Sequence, residues 1–309
     1  MKKRLISFDW AIKKILRNKA NFGILEGFLS ELITPDKNLK IIKLLESESN
    51  KETKDNKSNR VDILVEIEPG DIVIIEVQVD CELDFLHRVL FGTSKVITEH
   101  LAKKQPYAKI KKVYSVNILY FDLGHGKDYI YKGTTDFIGM HNKEVLQLNV
   151  RQKKIYQKEL INEIYPEYYL IKINNFDGLA KNTLDEWIYF LKNEEIKPEF
   201  HAKGLQEAKV ELDILKLSYE DREEYERYQD DLHYQASMIE SSYVEGKYHG
   251  EKAGEKIGLK KGLEKGLKKG LEKGKKDIVL NMLKNNISLD NVAKFTGLSL
   301  EEIKQLTRK

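Results

Sequence analysis

Asp62, Glu76 and Gln78 are the residues of this chain whose types and spacing carry the clearest chemistry. They lie in RVDILVEIEPGDIVIIEVQV, residues 60–79, two Ile- and Val-rich runs joined at Pro69-Gly70. Runs this short and this β-branched read as strands, and the pair reads as a hairpin. A buried strand gains nothing from unpaired acids, so the question is whether the three polar side chains converge. Alternate residues of a strand share a face, which groups Glu76 with Gln78 and sends Val77 to the other side. A two-residue loop at Pro69-Gly70 sets Asp62 opposite Val77, on the wrong face for joint chemistry. A three-residue loop, or a bulge near the turn, shifts the pairing by one and sets Asp62 opposite Glu76 or Gln78. Gly70 tolerates positive φ, so the odd loop is the expectation.

Two carboxylates held together repel, and one takes up a proton unless a cation lies between them. Oxygen ligands on a rigid hairpin suit Mg²⁺, with Mn²⁺ as the other candidate. Such an ion activates water and stabilises charge on a phosphoryl oxygen. Phosphodiester hydrolysis is therefore the candidate reaction. Other chemistries lack their residues: the 7 His are dispersed with no HExxH, there is no GxxxxGK[ST], and the single cysteine, Cys81, can build neither a disulfide nor a Cys-ligated zinc site within one chain.

The elements that must position these residues follow from spacing. SFDWAIKKILRN predicts a helix with Phe8, Ala11, Ile12 and Ile15 on one face and Ser7 as N-cap. FGILEGFLSELI predicts a second amphipathic helix, and ESESNKETKDNKSN an exposed, mobile connection. After the hairpin, LDFLHRVLFGTSKVITEHLAKK has helical spacing through Leu86, Val89, Leu90 and Ile97. KVYSVNILYFDL alternates like a strand, with further strands expected in 129–150 and 168–173. This order suggests an α/β sheet flanked by helices. Tyr107, Tyr114 and Tyr120 are read as packing residues.

Strand signals stop near Asp177. Residues 199–245 carry thirteen acids and five Lys/Arg and read as exposed helices. Glycine then recurs every fourth residue from Gly246 to Gly274, with eleven Lys among residues 246–276. On an α-helix a period of four advances about 40° per step, so the glycine stripe winds around the axis. A basic connector and a helix that pairs with another copy by close backbone approach are both open. SLDNVAKFTGLSLEEIKQL reads as a closing helical hairpin, with Ser288 capping the first helix, Thr296-Gly297 ending it, and Ser299 with Glu302 forming a capping box. As two helices it has no independent core; a DNA-reading helix-turn-helix and an interaction element are both open. The expected organisation is residues 1–175 as the main domain, 176–245 as an acidic helical region, 246–276 as the repeat and 277–309 as the hairpin.

The net charge is +3, but residues 1–20 hold seven Lys/Arg against one acid, Asp9. Asp9 is equally a helix-start acid or an i,i+4 partner of Lys13. Arg88, Lys95, Lys103, Lys104, Lys111 and Lys112 are candidates for a phosphate-binding rim, Arg88 foremost because it follows the polar strand. No stretch approaches the roughly 18 apolar residues that span a bilayer, and charges interrupt any signal-peptide core in the first residues. A cytoplasmic protein with no membrane partner is expected.

Asp62, a fourteen-residue step, then Glu76-Val77-Gln78 resembles the PD-(D/E)XK nuclease signature in its variant with Gln at the Lys position. FDWAIKKIL, RVLFGTSKVITEHL, VYSVNILYFDL and the terminal GLSLEEIKQL are similar to the recombination-promoting nuclease (Rpn) and putative transposase branch of that superfamily. The resemblance covers about residues 5–175, and the glycine repeat and closing hairpin look like tails of the same branch. It implies a restriction-endonuclease-like core, a mixed sheet flanked by helices, acting as a Mg²⁺-dependent DNA endonuclease that leaves 5′-phosphate and 3′-hydroxyl ends, in recombination or transposition. Asp62, Glu76 and the Val77 carbonyl would hold the metal, and Gln78 would orient water or a phosphate oxygen. Asp9 would be an additional acid, and Arg88 and Lys13 would contact nucleic acid. Two departures stand out. Gln78 carries no charge and is no general base, and Gly92 stands where the branch has an aromatic. The rival reading is a catalytically silent DNA-binding or assembly protein on the same fold, with RNA as a third possible substrate.

Overall fold

A computed structural model describes residues 5–14, 16, 19–45, 62–100 and 106–307, in two compact units, Met1–Tyr225 and Glu226–Lys309. The connection expected at 46–59, Ile15, the side chain of Lys13, and Lys103 and Lys104 fall outside the described residues.

The hairpin forms as the pattern requires. β2 (Ile63–Ile67) and β3 (Asp71–Gln78) pair antiparallel, with Ile67 opposite Asp71 and Ile63 opposite Ile75. The loop is thus three residues, Glu68, Pro69 and Gly70, and Gly70 takes φ +125°, a conformation nearly reserved for glycine. Around the hairpin lie β1 (Ile41–Leu44), β4 (Val113–Leu119), β5 (Ile130–Gly133) and β6 (Glu167–Lys172), in the sheet order β1-β2-β3-β4-β6-β5. β4 runs parallel to β3 and to β6, while both edges are antiparallel. β1 has no counterpart in the sequence reading: its four residues show burial only at Ile41 and partly at Leu44, too little alternation to detect.

Three helices precede or follow the central strands: α1 (Phe8–Lys14), α2 (Phe22–Ile33) and α3 (Phe85–Glu99). α3 covers one face of the sheet. Its Phe85 and Val89 pack with Leu119 and Phe121, and its Val96 packs with Leu64, Ile72, Ile74 and Val113. The buried stripe is Phe85, Val89, Gly92, Thr93 and Val96, whereas Leu86 and Leu90 are 57% exposed. Apolar residues on both sides of this helix made the sequence stripe ambiguous, and the sheet selects the one that includes the small Gly92.

The core also extends past residue 175. After α4 (Val150–Tyr156), α5 (Thr183–Asn193) places Trp187 and Phe190 edge-on against Phe8 of α1, and Trp187 against Phe28 of α2. α6 (Leu205–Glu211) buries Leu205 and Ala208. Within 199–245, read as exposed helices, α6 therefore adds buried residues to the first unit, because a few apolar residues recur at helical spacing among many acids. Tyr120 packs as expected, its hydroxyl donating to the Leu191 carbonyl, while Tyr107 is 83% exposed.

α7 (Tyr219–Lys284) carries the glycine repeat as continuous helix. In the second unit its end joins α8 (Leu289–Thr296) and α9 (Leu300–Thr307), where Val279, Val292 and Ile303 form a small buried core. The closing hairpin thus gains its core from a third helix. Gly297 ends α8 in the left-handed conformation, and Ser299 and Glu302 bond reciprocally in a capping box. Ser288 stands at the N-cap of α8 without a side-chain cap bond.

Candidate active site

The odd loop decides the face. Continuing the β2–β3 register by one step sets Asp62 opposite Glu76, and Glu76 pairs in turn with Asn117 of β4. Asp62, Glu76 and Asn117 therefore form a polar row across three strands on the side that α3 covers. Ile74 and Leu64, which pack beneath α3, occupy the next row. The Val77 N–H donates to Asp62 Oδ2 at 2.7 Å. By the alternation of peptide directions the Val77 carbonyl faces the same edge, so it and the Asp62 carboxylate share one locality.

Glu76 is 5% exposed, and its Oε2 has no hydrogen-bond partner. Burial pushes its carboxyl up from 4.5 to about 7; the Arg88 guanidinium pulls it down, and the Asp62 and Glu82 charges add to the rise. Three other buried acids are supplied with donors. Glu31 accepts from Thr183 Oγ1 and Lys203 N, Asp185 from Tyr129 Oη and Lys181 N, and Glu186 from His201 N and Ala202 N. Those are structural carboxylates, whereas Glu76 Oε2, like Asp9 Oδ2, has no hydrogen-bond partner among the described residues.

Gln78 is held rather than loose. Its Nε2 donates to the Asp80 carbonyl and to Glu82 Oε1, both at 3.2 Å, and its Oε1 accepts from Arg88 Nη1 at 3.3 Å. Arg88 Nη1 also donates to Glu82 Oε1 at 2.7 Å, leaving Arg88 Nε buried without an acceptor. Arg88 thus brings a positive charge close to the strand position where the nuclease signature has Lys. Glu82 was missed by sequence reasoning. It sits in the β3–α3 connection, six residues before Arg88, a separation that is neither a strand nor a helix spacing.

Not every expected residue joins this cluster. Asp9 is 4% exposed with Oδ2 unpartnered, but its charge bears on Tyr120 and Tyr225. Strand parity sends Tyr120 to the face opposite Glu76, where its hydroxyl meets α5. Among the described residues Asp9 is not one of the charges that bear on Glu76. Lys95, Lys111 and Lys112 are paired with Glu99, Glu66 and Glu167, and Lys112 is 4% exposed, so they do not build the expected rim.

Oxygen donors of this kind fit a hard divalent ion. Asp62, Glu76 and Glu82 against Arg88 leave a net of two negative charges when all are ionised, which one divalent cation balances. No cluster of three or more His, Cys, Asp or Glu side chains with metal-holding geometry occurs among the described residues. The available set is two carboxylates and a backbone carbonyl, which suits Mg²⁺, an ion that keeps several waters.

A mixed sheet with a strand-crossing acid pair, covered by helices, defines an α/β core of the PD-(D/E)XK nuclease class. The family model described as PD-(D/E)XK nuclease family transposase matches residues 6–242, and the chain belongs to that family. No curated protein and no solved structure matches the chain. Among the described residues no helix is long and apolar enough to cross a membrane.

Proposed function

We propose that this chain is a Mg²⁺-dependent DNA endonuclease, serving recombination or transposition, with Mn²⁺ as an alternative ion. The observation that carries the reading is the buried, unpartnered Glu76 oxygen beside Asp62 in a nuclease-family fold. Bound between Asp62, Glu76 and the Val77 carbonyl, the ion would supply Lewis-acid activation of water and charge neutralisation at the scissile phosphate. Asp62 is oriented for this by the Val77 N–H. Arg88 favours the ionised form of Glu76. Its side chain is 24% exposed, so the guanidinium is a candidate phosphate contact. Gln78, clamped by Glu82 and Arg88, orients a water or a phosphate oxygen and exchanges no proton. Asp9 stands outside the proposed set because its charge serves the opposite face.

Self-association through α7 belongs to the same reading. Residues 226–245 hold five acids against one arginine, and 246–276 hold eleven lysines against four acids. Antiparallel pairing of two copies opposes these charges, and Leu263, Leu267 and Leu271 border a groove floored by Gly262, Gly266 and Gly270.

A plasmid-nicking assay tests the activity. Wild type should cut with Mg²⁺ and stop with chelator. Asp62→Ala and Glu76→Ala should each lose about 10³-fold, the several kcal/mol that a metal ion supplies. Equal DNA binding without cutting by all three proteins is the result that favours a catalytically silent binder.

A further inference from the structure

Asn117 is 1% exposed and lies beside Glu76 in the parallel β3–β4 register. Its Nδ2 donates to the Ser115 carbonyl at 3.2 Å, to Ser115 Oγ at 3.0 Å and to the Tyr169 carbonyl at 3.2 Å. Those partners favour Nδ2 in this place, because it donates to both carbonyls, whereas an oxygen there would face them and accept only from the Ser115 hydroxyl. The direction follows from the ladder. The Lys112 carbonyl accepts from the Ile72 N–H of β3, so alternation turns the Ser115 carbonyl toward β6, where Tyr169 lies. With Nδ2 engaged by Ser115 and Tyr169, Oδ1 is the amide atom left for the β3 side, where Glu76 is the register partner. Among the described residues that buried Oδ1 has no hydrogen-bond partner, and the same is true of Glu76 Oε2.

Buried acceptors without a donor on two register partners are costly, and natural folds seldom leave them so. With Glu76 ionised, as metal binding requires, neither oxygen can donate to the other. The species that fits is a molecule that donates to both, and Mg²⁺ sites retain such waters. We propose that Asn117 is a positioning residue of the divalent-metal site, its Oδ1 holding, together with Glu76 Oε2, a water of the ion's shell. Asn117 orients the carboxylate and this water without binding the ion. This inference rests on the metal reading of Asp62 and Glu76.

The test is Mn²⁺ binding to the full chain by titration calorimetry, read beside thermal unfolding. Asn117→Ala removes the acceptor and should weaken Mn²⁺ binding about 10–100-fold, the range for partners that orient ligands. Asn117→Asp keeps an oxygen facing β3 and loses only the donor toward β6, so it should melt early yet retain most of the affinity. Should the alanine variant fail to fold, Asn117→Thr replaces it with the same expected loss. Wild-type affinity in the alanine variant, or equal losses in the alanine and aspartate variants, overturns the assignment and leaves Asn117 a purely structural residue. Glu76→Ala separates the two readings. If wild type binds Mn²⁺ and Glu76→Ala does not, the metal site stands whatever Asn117 does. If wild type binds none, the metal site falls and the role of Asn117 falls with it.

Discussion

In the β2–β3 hairpin Ile63, Val65, Ile72 and Ile75 are 2% exposed or less, whereas in α7 Leu259, Leu263, Leu267 and Leu271 are 59–74% exposed. Both stretches are patterned in sequence, one as two short Ile- and Val-rich runs and the other as a glycine every fourth residue. In the hairpin, packing beneath α3 removes water from Glu76 and moves its ionisation by more than two units. Along the repeat of α7, a Cβ added at any glycine from Gly246 to Gly274 meets nothing within 4 Å. Regular spacing places residues on a face in either case. Only the exclusion of water turns such a face into a site with altered chemistry, and an exposed face remains a surface for partners.

The largest effect expected from this contrast, after loss of cutting in the Asp62 and Glu76 alanine variants, is a pH dependence of stability. In metal-free buffer Glu76 ionises near 4.5 in the unfolded chain and near 7 in the folded one. Below pH 4.5 the group is protonated in both states and contributes nothing. Between these values the unfolded chain loses its proton first and folding weakens, until above pH 7 the penalty levels off at about 3 kcal/mol. Urea unfolding at pH 5 and pH 8 should show that Glu76→Gln flattens this slope and is the more stable protein at pH 8. An unchanged slope would mean that Glu76 is hydrated after all.

A smaller effect is expected at Arg88. Its charge favours ionised Glu76, so Arg88→Gln should lower cutting about 10-fold and move the pH–rate profile to higher pH. A uniform loss with no shift in the profile would assign Arg88 to phosphate contact alone. The smallest concerns α7. Gly258→Ala, Gly262→Ala and Gly266→Ala should each add about 1 kcal/mol of helix stability, because alanine is the better helix former and its methyl has open space. Circular dichroism should show later melting and the nicking assay no change. Sedimentation equilibrium should show weaker self-association as the groove fills. Reduced cutting in these variants would break the comparison, since the two regions would then be energetically linked.

Much of the site was legible because strand periodicity is short-ranged. Asp62, Glu76 and Gln78 declare their faces through Ile and Val neighbours, and Gly70 signals the odd loop. FGILEGFLSELI matches α2 residue for residue. Glu82 and Asn117 were not legible. One reaches Gln78 and Arg88 from an irregular connection, and the other joins the row only because β4 lies parallel to β3 in one register. The surroundings of Asp9 were not legible either, because a helix-start acid looks the same whichever face of the sheet its helix covers.

By itself the sequence determined which residues alternate, where helices run and that a carboxylate pair shares one side of a hairpin, since these follow from local backbone geometry. Tertiary structure alone decided that Trp187 and Phe190 complete the core, that α8 and α9 need the end of α7, and that Glu76 is buried with an unsatisfied oxygen. Those outcomes depend on which distant segment excludes water from a given atom, and no spacing within a single segment specifies that.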